Sequence, residues 1–124
     1  MNGWLWVLLG SALGGSVRFL ISGLVARHVG ETFPWGTMTV NVTGSFLIGL
    51  VAAGGVLGSG AAWQFAVVGL LGSYTTVSSF SLQTLAMLRE GAMRRAAANI
   101  VLSVALCLLA AGAGTLLATP GTGA

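Results

Sequence analysis

The sequence GSYTTVSSFS, residues 72–81, lies in the middle of a long apolar run from Trp63 to Leu88. Seven of the nine side chains from Ser73 to Ser81 carry a hydroxyl group. The core of a bilayer has no water to bond these groups, and each unpaired hydroxyl there costs about 1–3 kcal/mol or more. So many hydroxyls in one place indicate a polar path through protein rather than a surface in contact with lipid.

Two glycines, Gly69 and Gly72, come just before the hydroxyl-rich residues, at positions where a helix can loosen. Non-helical backbone at membrane depth is tolerated only inside protein or beside a water-filled cavity. A hydrophobic segment interrupted by glycine is the best pointer in a single sequence to an ion site. We therefore predict a membrane helix that is broken mid-membrane at this place.

The overall composition indicates an integral membrane protein. The 124 residues have a mean hydropathy of +0.96, and 56% are hydrophobic against 6% charged. These values exclude an ordinary soluble domain. The formal charge of +3 is too sparse for a nucleic-acid surface, so no nucleic-acid partner is expected. The one cysteine, Cys107, excludes a disulfide framework, and the first apolar run is too long for a signal peptide.

Four apolar runs are long enough to be membrane helices, since crossing a core about 30 Å thick takes about 20 residues. The runs are Trp4–Val25, Trp35–Leu57, Trp63–Leu88 and Ala96–Ala118. Tryptophans open the first three, as in an interfacial aromatic belt. The links are short and no repeat is visible, so we predict a single all-α domain of four transmembrane helices over residues 1–124.

The basic residues of the loops are unevenly distributed. Arg27 is in the first loop, and Arg89, Arg94 and Arg95 are in the third, whereas the N-terminus, the second loop and the tail have none. The positive-inside rule therefore places loops one and three in the cytoplasm and both termini outside.

Two polar residues in the first two helices each allow two interpretations. Arg18 either extends its side chain to the membrane surface or forms an electropositive vestibule for an anion. Asn41 either bonds a neighbouring helix or faces a pore, where its NH₂ group offers two donors that suit an anion. The residues alone do not decide between these interpretations.

One face of the third helix carries Thr76, Ser79, Phe80 and Gln83, at i, i+3, i+4 and i+7. Ser and Thr often bond the carbonyls of their own helix, which accounts for two or three hydroxyls rather than seven. Phe80 is ordinarily a packing residue, although its ring has a positive edge that can meet an anion.

The fourth helix carries Asn99, Ser103 and Cys107 at intervals of four residues. This polar stripe either completes a polar track or makes hydrogen bonds between helices, and both interpretations stay open.

The apolar runs contain no carboxylate, because Glu31 and Glu90 both lie in loops. Proton-coupled cation export normally needs an acid within the membrane, which counts against a small four-helix multidrug exporter. No nucleophile–base pair, His cluster or phosphate-binding loop is present, so we do not expect an enzyme. A polar path without acids favours an anion.

Three motifs follow one another along the chain: Gly14-Gly15-x-x-Arg18, Pro34-Trp35-Gly36-Thr37-x-x-Val40-Asn41-x-x-Gly44 and Gly69-x-x-Gly72-x-x-Thr75-Thr76-x-Ser78-x-Phe80-Ser81. Taken together, they resemble the Fluc (CrcB) family of fluoride channels. The resemblance spans nearly the whole chain. It implies a passive exporter of cytoplasmic fluoride in the bacterial plasma membrane, built as an antiparallel dual-topology dimer with two pores.

The resemblance also implies roles for individual residues. Backbone carbonyls of Gly72 and Thr75 from both subunits would hold a structural Na⁺ at the dimer centre. Asn41 would donate to fluoride, and Phe80 would be the second phenylalanine of an aromatic box. The remaining pore residues implied are Thr76, Ser79 and Ser103 in the polar track and Arg18 in the first helix.

The chain departs from the family pattern most seriously at Val77, where the first phenylalanine of the box is expected. Smaller departures are Ser73 in place of a glycine and Ser79 in place of a threonine. The Val77 side chain has no positive edge, and the loop charges disfavour insertion in both orientations. A homodimer is favoured, a heterodimer with a homologous subunit is the alternative, and a cation exporter or a non-transporting partner protein are rivals.

Overall fold

The computed structural model describes residues 3–30, 32–54 and 60–118, and all regular structure in these residues is helical. Helix α1 spans Gly3–Val29, α2 spans Trp35–Gly54, and the last helix, α5, spans Met93–Ala118. Between them lie two helical segments, α3 at residues 61–74 and α4 at Val77–Arg89.

Four helical spans are long and apolar enough to cross a membrane: Gly3–Val29, Trp35–Gly54, Ala61–Arg89 and Met93–Ala118. The prediction of four long apolar helices is confirmed. The first and fourth begin or end a few residues beyond the predicted bounds. The predicted end of the second helix, Leu57, lies outside the described residues.

The third span is broken, as predicted, and the break lies within the hydroxyl-rich residues 72–81, shortly after Gly72. Residues Gln64–Leu71 are π-helical, and one further turn covers Gly72–Tyr74. The helix then stops at Thr75 and Thr76, and α4 begins at Val77. The wider π-helical turns loosen the span at Gly69 without interrupting it.

Two turns at one end of the bundle depend on glycines with positive φ. Gly30 follows α1 with φ of 91°, and Gly91 follows α4 with φ of 80°. Their amides donate to Ala26 O and Leu88 O at 2.8 and 3.1 Å. Glycine adopts this left-handed conformation without a Cβ clash, so both helices can end and reverse sharply here.

Glycines also allow the helices to approach each other closely. A Cβ atom at any of six glycines would overlap the backbone of the neighbouring helix. Small residues serve this purpose in membranes, where burial of apolar surface does little to hold helices together. The six are Gly10, Gly14 and Gly69 between α1 and α3, Gly36 between α1 and α2, and Gly49 and Gly114 between α2 and α5.

The buried core sits beside the break. Val40, Leu71 and Tyr74 form a cluster in which each side chain is at most 6% exposed. This packing brings the middle of α2 against the end of α3. It therefore places the polar residues of α2 next to the interrupted backbone.

Candidate functional site

Two consecutive residues with extended backbone make the break. Thr75 has φ of −81° and ψ of 155°, and Thr76 has φ of −149° and ψ of 124°. Branching at Cβ makes threonine well suited to this conformation. Two extended residues within a helix redirect several backbone donors, so their partners have to be accounted for.

Asn41 on α2 bonds the backbone of the break with both ends of its amide. Its Oδ1 accepts from the Thr76 N–H at 2.7 Å, and its Nδ2 donates to Thr76 O at 2.9 Å. The side chain therefore bonds a neighbouring helix, which was one of its two interpretations. It still has a second N–H, because an amide nitrogen carries two donors.

The Thr76 hydroxyl caps the start of α4. It accepts from the Ser79 N–H at 3.1 Å and lies 3.1 Å from the Ser78 hydroxyl. This is the usual N-cap arrangement, in which a side-chain oxygen satisfies an otherwise unpaired amide of the first turn. Some of the hydroxyl groups in the stretch at 72–81 therefore serve to end one helix and begin the next.

These bonds leave two carbonyls without their usual helical donors. In an unbroken helix the Thr76 N–H would donate to Gly72 O, and the Ser79 N–H would donate to Thr75 O. Here the first donates to Asn41 and the second to the Thr76 hydroxyl. Gly72 and Thr75 are the residues to which the resemblance assigned sodium ligands, and carbonyls freed in this way suit a hard cation.

Other hydroxyls near the break are satisfied within the protein. The Thr75 hydroxyl donates to Leu71 O at 3.1 Å, and the Tyr74 hydroxyl lies 2.9 Å from that of Thr43. The bond of Thr75 to its own helix is the structural alternative considered for such residues. It accounts for one hydroxyl of the stretch, and Thr43 on α2 accounts for that of Tyr74.

A cavity of about 550 Å³ lies between α1, α2 and α4, at the end of the bundle that carries residues 30, 32–34 and 90. Arg18, Ser79 and Gln83 line it together. Arg18 Nε and Gln83 Oε1 are buried and have no hydrogen-bond partner among the described residues. Arg18 thus lines a cavity, which favours its interpretation as part of a vestibule.

Ser103 belongs to a different hydrogen-bonded chain, between α4 and α5. Its hydroxyl donates to Asn99 Oδ1 at 3.3 Å, and Asn99 Nδ2 donates to the Thr84 hydroxyl at 2.9 Å. The Thr84 hydroxyl donates in turn to Phe80 O at 2.8 Å. Among the described residues, no hydrogen bond joins Ser103 to Thr76 or Ser79, and Asn99 is the member of the polar stripe that bonds another helix.

The surface beside the break is open. Val77 is 77% exposed, and Gly72 and Ser78 are also exposed. A Cβ atom at Gly72 would approach only Val67 O, at 3.6 Å. Phe80, on the next turn of α4, is half-buried. The predicted box residues therefore differ in environment, with Val77 pointing away from the core of this chain.

Sequence reasoning placed Gln83 on the same helix face as Ser79 but gave it no role. The structure adds it to the cavity beside Arg18. The i+4 spacing from Ser79 was the signal that could have identified it, because residues four apart lie on one face of a helix.

Comparisons with known proteins agree with the geometry. The family described as CrcB-like protein, Camphor Resistance (CrcB), matches residues 5–115. The chain is 54% identical over 123 residues to fluoride-specific ion channel FluC 2 of Bradyrhizobium diazoefficiens, which covers 95% of this chain and 90% of that relative. It is 55% identical over 119 residues to FluC 2 of Rhodopseudomonas palustris, covering 92% and 91%.

A third relative, fluoride-specific ion channel FluC of Methylocella silvestris, is 50% identical over 120 residues, covering 93% of this chain and 92% of that relative. The resemblance based on three short motifs is thus confirmed over most of the sequence. The chain belongs to the CrcB (Fluc) family of fluoride-specific ion channels.

Proposed function

We propose that this chain forms a fluoride-selective channel of the bacterial plasma membrane and lets cytoplasmic fluoride leave passively. The observation that carries the proposal is the break at Thr75 and Thr76, which Asn41 and the Thr76 hydroxyl satisfy without any charged group. The apolar runs of the sequence contain no Asp or Glu to couple transport to protons. Flow is therefore downhill, with fluoride entering the cell as neutral HF and leaving as the anion.

The path begins at the cavity with Arg18. A guanidinium is charged at every physiological pH and attracts an anion, and the Ser79 hydroxyl and Gln83 amide can replace part of its hydration shell. The free N–H of Asn41, the Thr76 hydroxyl and the ring edge of Phe80 follow along the path. A pore for a strongly hydrated ion needs several such sites, each weak enough to release it.

The membrane potential favours export through such a path. An interior-negative potential contributes about 2.3 kcal/mol per elementary charge for every 100 mV. This free-energy difference drives an anion out of the cell, and no conformational change of the protein is needed. The passive mechanism therefore needs only donors in sequence, and the cavity and the break supply them.

The carbonyls of Gly72 and Thr75 are suited to hold the structural Na⁺. Both have lost their helical donors to other acceptors. The described residues contain no group of three or more His, Cys, Asp or Glu that could hold a metal, so a cation here would depend on the backbone. When bound, the ion supplies a fixed positive charge beside the anion path.

An antiparallel dimer would complete the site. The open surface of Gly72, Val77 and Ser78 lies directly at the break, and a second copy there would cover it and contribute the remaining sodium ligands. We favour a homodimer. The charge bias of the loops supports the alternative, in which a homologous subunit of opposite orientation provides the partner.

Val77 bears on how well the channel conducts. A valine offers no ring edge, so Phe80 would provide the aromatic contact of each pore alone. This predicts slower conduction than an intact aromatic box would give. In a heterodimer, the partner could carry the complete box and conduct on its own side.

Reconstitution of the purified chain in liposomes with a fluoride electrode tests the proposal. We expect fluoride efflux well above chloride efflux, driven by the gradient alone. Chloride efflux as fast as fluoride efflux would contradict a fluoride channel. No flux of either ion would favour the heterodimer or a non-transporting partner, and uptake of cationic drugs driven by a pH gradient would favour the small multidrug exporter.

A further inference from the structure

The two hydrogen bonds between Asn41 and Thr76 determine which backbone groups of the break are free. At 2.7 and 2.9 Å they are well-formed hydrogen bonds, and they engage the N–H and the C=O of one residue together. The Thr76 N–H is the donor that would otherwise close the helix onto Gly72 O. As long as Asn41 holds this N–H, Gly72 O lacks its helical donor.

We propose that Asn41 is the positioning residue of the cation site, because it withholds the Thr76 N–H from Gly72 O. The inference rests on the proposed function, in which Na⁺ binds carbonyls at the break. It adds a role to Asn41 beyond donating to fluoride. The residue makes no contact with the cation and acts through the backbone of Thr76.

The packing around Asn41 supports this role. Gly44, one turn further along α2, has no side chain, and a Cβ atom there would overlap the Thr75 methyl group. The close approach of α2 to the break is what brings the short Asn41 amide within reach of Thr76. Val40, fully buried beside it, fixes the rotation of α2 at this level.

The same amide links the cation site to the anion path. One Nδ2–H bonds Thr76 O, and the other is available to an anion. Removing the amide should therefore remove both functions, whereas keeping only an oxygen at this position should keep the cation site alone. Asn41→Val and Asn41→Asp separate these two cases, since an ionised Asp accepts from the Thr76 N–H but cannot donate.

A matched control exists elsewhere in the bundle. Asn99 is a second membrane-embedded amide, 1% exposed, and its partners are side chains of Thr84 and Ser103. Asn99→Val removes an amide of the same size without touching the break. It controls for the general cost of losing a buried hydrogen bond.

The experiment measures thermal unfolding of the purified protein by tryptophan fluorescence, in NaCl and in N-methyl-D-glucamine chloride of equal ionic strength. We expect Na⁺ to raise the Tm of the wild type and of Asn99→Val. In Asn41→Val the rise should vanish, or need at least about tenfold more Na⁺, as for other supporting residues of metal sites. Asn41→Asp should keep the Na⁺ response while losing fluoride efflux.

The inference is wrong if Na⁺ raises the Tm of Asn41→Val as much as it raises that of the wild type. It is also wrong if Asn41→Asp folds but its Tm does not rise with Na⁺. If Asn41→Val does not fold, Asn41→Asp decides alone. A wild type that conducts fluoride but shows no Na⁺ response would overturn the cation site while leaving the channel intact. Loss of fluoride flux in the wild type with a normal Na⁺ response would instead contradict the proposed function.

Discussion

The third and fourth membrane spans both carry polar side chains at membrane depth, yet only the third is broken. Helix α5 runs unbroken through Asn99 and Ser103, whose side chains bond each other and α4. The third span stops at Thr75 and Thr76, and its backbone is bonded by Asn41 and by the Thr76 hydroxyl. The side chain of Asn99 bonds other side chains and joins α5 to α4, whereas Asn41 and the Thr76 hydroxyl bond backbone N–H groups and leave two carbonyls without their helical donors.

The two asparagines of the membrane helices, half-buried Asn41 and buried Asn99, show that the residue type does not decide the outcome. Asn99 donates to a hydroxyl, and Asn41 pairs with the N–H and C=O of one residue. The difference lies in the partner. Two extended threonines present unpaired backbone to Asn41, and the continuous helices α4 and α5 present only side chains to Asn99.

The largest effect should come from blocking the approach of α2 to the break with Gly44→Ala. The new methyl group would overlap the Thr75 methyl, which the bond from the Thr75 hydroxyl to Leu71 O holds in place. Overpacking costs about 1–3 kcal/mol. Added to the free-energy barrier for fluoride conduction, this cost lowers fluoride efflux by about 5-fold to 160-fold.

Gly15→Ala is the matched control, because a Cβ atom at Gly15 meets nothing within 4 Å. It should leave stability and efflux of the purified chain unchanged. Equal behaviour of the two variants would show that the contact between α2 and the break does not matter for conduction.

A smaller effect is expected from Thr76→Val, which keeps the shape of the side chain and removes the cap of α4. Valine accepts the extended conformation of residue 76, so the break should persist. Loss of an N-cap costs about 1 kcal/mol, which thermal unfolding would detect. Fluoride efflux should fall by about fivefold or more, since the same hydroxyl lies on the proposed path.

Thr84→Val provides a comparison in which a threonine that bonds backbone within one helix is lost. Its hydroxyl donates to Phe80 O inside α4 and accepts from Asn99 Nδ2 on α5, and both bonds lie away from the extended residues of the break. A fall in fluoride efflux as large as that of Thr76→Val would show that loss of the α4 N-cap has no specific effect on conduction.

The smallest effect should follow Ser103→Ala. The lost bond to Asn99 joins two side chains, and such bonds contribute about 0.6 kcal/mol on average within membranes. We expect this small loss of stability and little change in fluoride efflux in the liposome assay. A loss of efflux as large as that of Thr76→Val would instead place Ser103 in the pore, as the family resemblance implied.

Much of the fold could be predicted from composition and length. Four apolar runs and the hydroxyl-rich stretch at 72–81 were enough to predict four membrane spans and a break in the third. The end of the first helix was placed too early, at Val25 rather than Val29, because Arg27 and His28 are polar. Polar residues at a membrane surface do not stop a helix, since the hydrogen bonds of the last turn remain favourable in water.

The third span alone could not predict which residues of the stretch at 72–81 leave the helix. Gly69 and Gly72 indicated where the helix can loosen, and the extended residues are Thr75 and Thr76 just after them. Asn41, on another helix, offers partners for the Thr76 backbone. Such a tertiary contact leaves no periodic trace in the sequence, and for the same reason the sequence could not decide between the two interpretations of the polar stripe that contains Ser103.

Asn41, which bonds the backbone of the break, precedes the break along the chain, and this order has a consequence for biogenesis. Asn41 is synthesised well before Thr76, so α2 has left the ribosome when the interrupted span enters the membrane. Unsatisfied backbone groups in hydrocarbon cost several kcal/mol each. The nascent third span can therefore meet its partner on arrival, and no stage of insertion requires the broken backbone to face lipid alone.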